Sequence, residues 1–147
     1  MYISHLHPDH FDPIFLKEYF NYYGMKTILI ADRKNNYLAG LIRKNGFHCE
    51  IIENLEIGDA KIQIMAWDQG NEAYDVDSCL IVEKSGRALL NLNDCVFNDY
   101  MCEKLLDKIS PSSELTLSAL PYAGANDWPH TYLSYPNLRP IIETKVE

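Results

Sequence analysis

The sequence predicts a mixed α/β fold, and three observations carry that prediction. A strand–helix–strand series in the first third favours parallel pairing. Two tight-turn signals in the middle mark hairpins, hence an antiparallel portion. A late amphipathic helix runs straight into one more strand. In order, Met1 to Ser4 reads as the end of a strand. Asp12 is placed as an N-cap with Pro13 at the first helical position. Leu16, Tyr19, Phe20 and Tyr23 follow at helical spacing, and Gly24 stops the helix. Thr27 to Ala31 is a short buried strand. A second helix puts Leu38, Leu41 and Ile42 on one face and ends at Asn45-Gly46. His48 to Glu53 forms the next strand.

Gly58-Asp59 lies between Leu55–Ile57 and Lys61–Trp67, and Ser85-Gly86 lies between Ser78–Glu83 and Arg87–Asn93. Both read as hairpins. Asn98 caps a third helix whose apolar face is Met101, Leu105 and Ile109, and Ser110-Pro111 ends it. Leu115 to Leu120 is a further strand. Pro121 to Pro140 reads as an ordered loop with little regular structure. No internal repeat or flexible linker interrupts the 147 residues, which form one domain over 1–147.

At 47% hydrophobic residues the chain has a real core and is not disordered. A net charge of −8 argues against nucleic acid as a partner. A phosphorylated substrate stays compatible with that charge, because bound cations reverse the local sign. No apolar run reaches the length of a membrane span, and the first residues lack the basic and apolar parts of a signal peptide. Cys49, Cys79, Cys95 and Cys102 form no CxxC pair. Reduced thiols in a cytoplasmic protein are the expectation.

The most informative segment is His5-Leu6-His7-Pro8-Asp9-His10. Imidazole and carboxylate are ligands that zinc and similar divalent metals prefer. On extended chain His5 and His7 point to one side, because side chains repeat every two residues. A turn at Pro8 aims Asp9 and His10 at a second point nearby. Two adjacent metals suit that geometry better than one.

This run resembles the HxHxDH signature of the metallo-β-lactamase superfamily. The resemblance implies a four-layered αββα sandwich and, for most members, hydrolysis. It assigns His5 and His7 to one metal and Asp9 and His10 to the other. It also implies an acidic residue at a strand end that bridges the metals. Asp94, where Leu89-Leu90-Asn91-Leu92-Asn93 stops, is the candidate. A further family ligand, a His on the preceding hairpin, has no counterpart. Asp68 occupies the corresponding place, with Asp75 and Asp77 as competitors. Asp for His would shift preference from zinc toward iron or manganese.

The Leu90–Cys95 segment and Gly124-Ala125-Asn126-Asp127-Trp128-Pro129 look like the metallo-β-lactamase-type domain of CMP-N-acetylneuraminate hydroxylase and its bacterial relatives. Those are Rieske-type monooxygenases or stand-alone domains linked to sugar-nucleotide metabolism. The chain has no Rieske Cys-His pairs, so alone it could not perform that oxygenase chemistry. Trp128, with Tyr122 and Tyr132, offers an aromatic wall, and Asp127 and His130 are polar groups within it. Trp128 and His130 are the substrate-binding candidates. His48, alone on a strand, reads as a core or surface residue.

Two functions follow from the resemblance. One is a dinuclear metallo-hydrolase, in which a hydroxide held by the metals attacks an ester, phosphoester, lactone or amide, with Asp9 orienting it. The other is a non-hydrolytic module of a Rieske-type system that holds a sugar nucleotide. An inactive fragment is the third option. The family's strands before the motif and its last strands have no counterpart, so the fold is expected to be incomplete. Self-association, or a partner chain completing the fold, is the corresponding expectation.

Overall fold

The computed structural model describes residues 1–67, 77–95 and 99–120. Asp12 caps α1 (Pro13–Tyr23): its Oδ1 accepts from the backbone N–H groups of Ile14 at 2.8 Å and Phe15 at 3.2 Å. Leu16 and Phe20 form the buried stripe of this helix. Gly24 ends it at φ 78°, a conformation other residues rarely adopt. Strand β1 (Ile28–Ile30) follows, then α2 (Tyr37–Lys44) and β2 (Cys49–Ile51). β1 and β2 pair in parallel, as a helical crossover between them requires. Asn36 caps α2, its Oδ1 accepting from Ala39 N–H while its Nδ2 donates to the Ala31 carbonyl. The first residues extend this sheet. Tyr2 bridges Leu29 in parallel, and Ile3 N–H donates to the Leu29 carbonyl at 3.1 Å.

The remainder is a five-stranded sheet in the order β3 (Asn54–Ile57), β4 (Ala60–Trp67), β5 (Asp77–Lys84), β6 (Arg87–Asn91), β7 (Glu114–Ala119). The first four pair antiparallel. The β5–β6 turn has Ser85 at φ 51° and Gly86 at φ 71°, the two positive φ values of a two-residue hairpin turn. α3 (Asp99–Lys108) then carries the chain over, so β7 pairs with β6 in parallel. Leu105 is buried and Ile109 packs beside it, as the helical spacing predicts. Asn98, the Met101 side chain and the loop from Pro121 lie outside the described residues.

Two apolar clusters result. Ile3, Phe11, Leu16, Phe20, Ile28, Ile30, Leu38 and Ile42 belong to the first, under α1 and α2. Trp67, Cys79, Ile81, Leu90, Leu92, Cys95 and Leu105 form the second, under α3. Each sheet is therefore covered by helix. The two units meet where the Tyr2 hydroxyl and the Ser4 carbonyl contact Ser78 at the start of β5.

Candidate metal centre

The His run leaves the first sheet at Ser4 and turns back on itself. The backbone N–H groups of His10 and Phe11 both donate to the His7 carbonyl, at 2.9 and 2.8 Å. This turn, with Pro8 inside it, gathers four donor side chains from six residues on one side of the loop. His5 is wholly buried, whereas the Asp9 side chain is 77% exposed. Asp94 arrives from the other unit, just past the end of β6. Asn93 sets it there: its φ is 49°, its N–H donates to Asn91 Oδ1 at 3.1 Å, and its Nδ2 donates to the Ser78 carbonyl at 2.9 Å.

Donor atoms converge in two overlapping sets. His5, His7 and Asp94 make one, and Asp9, His10 and Asp94 the other. His5 Nε2 lies 2.8 Å from His7 Nδ1 and 3.6 Å from Asp94 Oδ2. His10 Nε2 lies 3.3 Å from the same Asp94 oxygen and 3.7 Å from Asp9 Oδ2. Zinc–nitrogen bonds of about 2.0–2.1 Å in a tetrahedron set ligand atoms about 3.3 Å apart. The spacings fall around that value, so the donor set fits a divalent ion at each position, with Asp94 common to both. His5 and His7 would open by roughly half an ångström to admit one.

The rings are also turned the right way. Asp77 Oδ1 lies 2.7 Å from His5 Nδ1. A nitrogen lone pair at that distance from a carboxylate would be repelled, so the hydrogen of His5 sits on Nδ1 and the Nε2 lone pair faces the centre. Ser4 Oγ lies 3.0 Å from His5 Nδ1 and 3.0 Å from His10 Nδ1. The Ser4 carbonyl in turn accepts from Ser78 Oγ at 2.7 Å and from Arg33 Nη2. Tyr2 completes the frame, its hydroxyl donating to the Ser78 carbonyl at 2.7 Å and accepting from Asn93 Nδ2 at 3.1 Å. Burial pushes the Tyr2 hydroxyl pKa well above its ordinary value, so this hydroxyl stays a donor.

The structure thus brings His5, His7, Asp9, His10 and Asp94 together. Asp68, Asp75, Trp128 and His130 lie outside the described residues. Of the acidic candidates after β4, Asp77, the first residue of β5, reaches the site, but against the outer nitrogen of His5 and not among the converging donors. His48 stands apart, its side chain 66% exposed and 3.6 Å from Glu50. Cys95, next to Asp94 in sequence, is buried in the second apolar cluster. Burial and the nearby Cys79, Asp77 and Asp94 push its thiol pKa far up, so it packs as a small apolar group. Cys79 is pushed up to about 11 by burial. Ser4, Ser78, Tyr2 and Asn93 carry no motif signal. A serine beside a His run has many ordinary uses, and only the fold shows its hydroxyl between two rings.

A separate open groove of about 630 Å³ touches the His loop at Leu6. Lys34, Asn35, Tyr37, Leu41 and Lys44 line it. None of the converging donors does.

No family model matches the chain. Its sequence is 29% identical over 141 residues to a Mycolicibacterium smegmatis protein described as a Rieske 2Fe-2S iron–sulfur protein, covering 90% of this chain and 26% of that one. The chain therefore spans about a quarter of that relative's length. A structure of the β-hydroxylase CmlA superposes with a TM-score of 0.60 at 20% identity, over 75% of this chain and 24% of CmlA. A possible metal-dependent hydrolase from Veillonella parvula gives 0.55 at 20%, over 73% of this chain and 44% of that one. The isothiocyanate hydrolase from Delia radicum gut bacteria gives 0.52 at 16%, over 71% and 43%. The chain has the α/β fold of metallo-β-lactamase-like proteins.

Proposed function

We propose that this chain carries the two-metal centre of a metal-dependent enzyme, and that its reaction is hydrolysis of an ester, phosphoester, lactone or amide. The observation that supports this reading is the pair of donor triads sharing Asp94. His5, His7 and Asp94 would hold one divalent ion, and Asp9, His10 and Asp94 the other. When bound, such ions acidify water and stabilise developing negative charge on oxygen. The chain's own groups supply the positioning. Asp77 holds the proton of His5 on Nδ1, away from the centre. Asp94 spans both triads from a strand end whose approach is set by Asn93. Asp9, the most exposed of the five, faces solvent beside His10 and would accept a hydrogen bond from the attacking water.

Zinc is the ion that two His-containing triads favour. Iron or manganese becomes preferred if Asp68 completes the first set. The substrate is a small molecule, and an anionic one finds Lys34 and Lys44 in the groove beside Leu6. Among the described residues no helix is long and apolar enough to cross a membrane. All four cysteines are free, which suits a reducing compartment such as the cytoplasm.

Elemental analysis after zinc loading, with hydrolysis of bis(p-nitrophenyl) phosphate and p-nitrophenyl acetate, tests this reading. Two zinc ions per chain and a turnover lost in Asp94→Asn are expected. Wild-type protein that retains fewer than two ions from micromolar zinc would overturn it.

A second reading is favoured by the relatives. The protein similar in sequence is described as a Rieske iron–sulfur protein, and one fold neighbour is a hydroxylase. In this reading the chain is a non-hydrolytic module that holds metal and a sugar nucleotide for a Rieske-type oxygenase. The iron–sulfur ligands would lie outside this sequence, because its cysteines and histidines lack the paired spacing. Two bound ions, no hydrolysis of either ester, and saturable binding of a cytidine sugar nucleotide would favour it.

A further inference from the structure

We propose that Ser4 is a positioning residue that couples the two halves of the metal centre; the inference rests on the two-metal reading above. Its Oγ touches one imidazole from each triad: His5 Nδ1 at 3.0 Å and His10 Nδ1 at 3.0 Å. The residue is 3% exposed, so water does not compete for these contacts. A serine hydroxyl has two lone pairs and one hydrogen. When both rings present Nε2 lone pairs to cations, both Nδ1 atoms carry hydrogen: Ser4 Oγ accepts from His10 Nδ1 and shares the single His5 Nδ1 hydrogen with Asp77 Oδ1. That use fills the acceptor capacity of Ser4 and no more.

The two rings are not equivalent without metal. Asp77 already keeps the hydrogen of His5 on Nδ1. His10 Nε2 faces Asp94 Oδ2 at 3.3 Å, where an N–H on Nε2 is favoured. His10 Nδ1 is then an acceptor, and Ser4 donates to it. Filling the second triad requires His10 to present its Nε2 lone pair, which turns the Ser4 hydroxyl from donor to acceptor. The Ser4 carbonyl is gripped by Ser78 Oγ from β5 and by Arg33 Nη2 from the loop after β1. The hydroxyl therefore sits at a fixed point between the rings, and its orientation reports on both sites.

A group that braces a metal-binding His raises its affinity for metal by about 10–100-fold. Asp77 braces His5 alone; Ser4 braces His5 and His10. The experiment is zinc titration of wild type, Ser4→Ala, Ser4→Thr and Asp77→Asn against a chromophoric chelator. The tautomers of His5 and His10 are followed by long-range proton–nitrogen correlation spectra. Ser4→Ala is expected to weaken both ions about 10–100-fold, and Asp77→Asn the first ion only. Ser4→Thr, which keeps the hydroxyl, restores wild-type binding. In wild type the His10 hydrogen moves from Nε2 to Nδ1 as the second ion binds. If Ser4→Ala does not fold, as judged by circular dichroism, Ser4→Cys takes its place with the same expected loss. Two ions bound to Ser4→Ala with wild-type affinity would overturn the inference and leave the two-metal reading intact. Weakening of one ion alone would overturn the coupling. Fewer than two ions in wild type would overturn both.

Discussion

Residues 1–52 and residues 53–120 solve the same packing problem differently. The first unit joins its strands through a helix, pairs them in parallel, and fills its core with helix stripes and aromatic contacts such as Phe20 against Phe47 at 5.5 Å. The second pairs four strands antiparallel, with tight turns at Gly58-Asp59 and Ser85-Gly86, and buries most of its central strand, β5. Each has its own apolar cluster. What lies between them is polar: Tyr2 on Ser78 and Asn93, Ser4 on Ser78, and His5 beside Asp77 and Asp94. Two packed units have little need of polar contacts to stay folded. A seam of buried polar groups lets them hold donors that neither core could tolerate without compensation. The lesson is that the candidate centre is a joint product. One unit supplies a contiguous run, and the other supplies a strand-end carboxylate.

Three measurements can break or sharpen this contrast. The largest effect is expected inside a core. Trp67 is 1% exposed, and Trp67→Ala should cost about 3–5 kcal/mol in urea unfolding. If the seam links the units, one transition shifts as a whole. Two resolved transitions, with residues 1–52 retaining their exchange protection, would show that the units unfold independently.

Across the seam the expected effect is smaller. Tyr2→Phe removes a hydroxyl that donates to Ser78 and accepts from Asn93, at a cost of about 1–2 kcal/mol. The same variant carries a pH signature. Burial raises the folded Tyr2 pKa, so the contribution is complete below the unfolded value of about 10 and fades as pH rises beyond it. The Tyr2 part of the alkaline limb should begin near pH 10, above the onset set by the buried Cys79 and Cys95 thiols, and Tyr2→Phe should flatten that part. An unchanged alkaline limb would remove Tyr2 as the cause.

The smallest effect belongs wholly to the second unit. Burial pushes the Glu83 carboxyl up, but the Ser110 N–H at 2.8 Å, the Ser113 and Ser110 hydroxyls and Lys61 hold it below its usual range. This ties the end of α3 to β5. The contribution is present above the ordinary carboxylate pKa and is lost as pH falls through the lowered folded value. Glu83→Gln should therefore lose stability at neutral pH and show a shallower acid limb than wild type. Parallel acid limbs would rule out the Ser110 contact as its source.

The units also differ in how much of them the sequence makes legible. Asp12-Pro13, Gly24, Asn45-Gly46, Gly58 and Ser85-Gly86 act on residues one to four positions away, and the helices and hairpins stand where those signals put them. The parallel pairing of β1 with β2 followed from the helix between them. Within the candidate centre, the donors from His5 to His10 are a contiguous pattern, and Asp94 stands out as a carboxylate where an apolar strand stops. Asp77 could not be told from Asp68 or Asp75 by composition. All three follow Trp67 within ten residues, and the register of β5 aims Asp77 at His5. Ser4 and Tyr2 could not be read at all. Tyr2 meets Ser78 from 76 positions away and the Ser4 carbonyl meets it from 74, while the Ser4 hydroxyl reaches His5 and His10 only because the His loop turns back on itself.

The sequence by itself therefore determined the donor chemistry and the local elements. Residue type sets ligand preference, and short-range sterics and capping set helices and turns. Only the tertiary structure decided which carboxylates meet the imidazoles and which nitrogen of each ring faces inward. It alone decided that one serine hydroxyl stands between the two triads. Those facts depend on how two separately packed units meet, and that meeting is fixed by long-range contacts rather than by any run of residues.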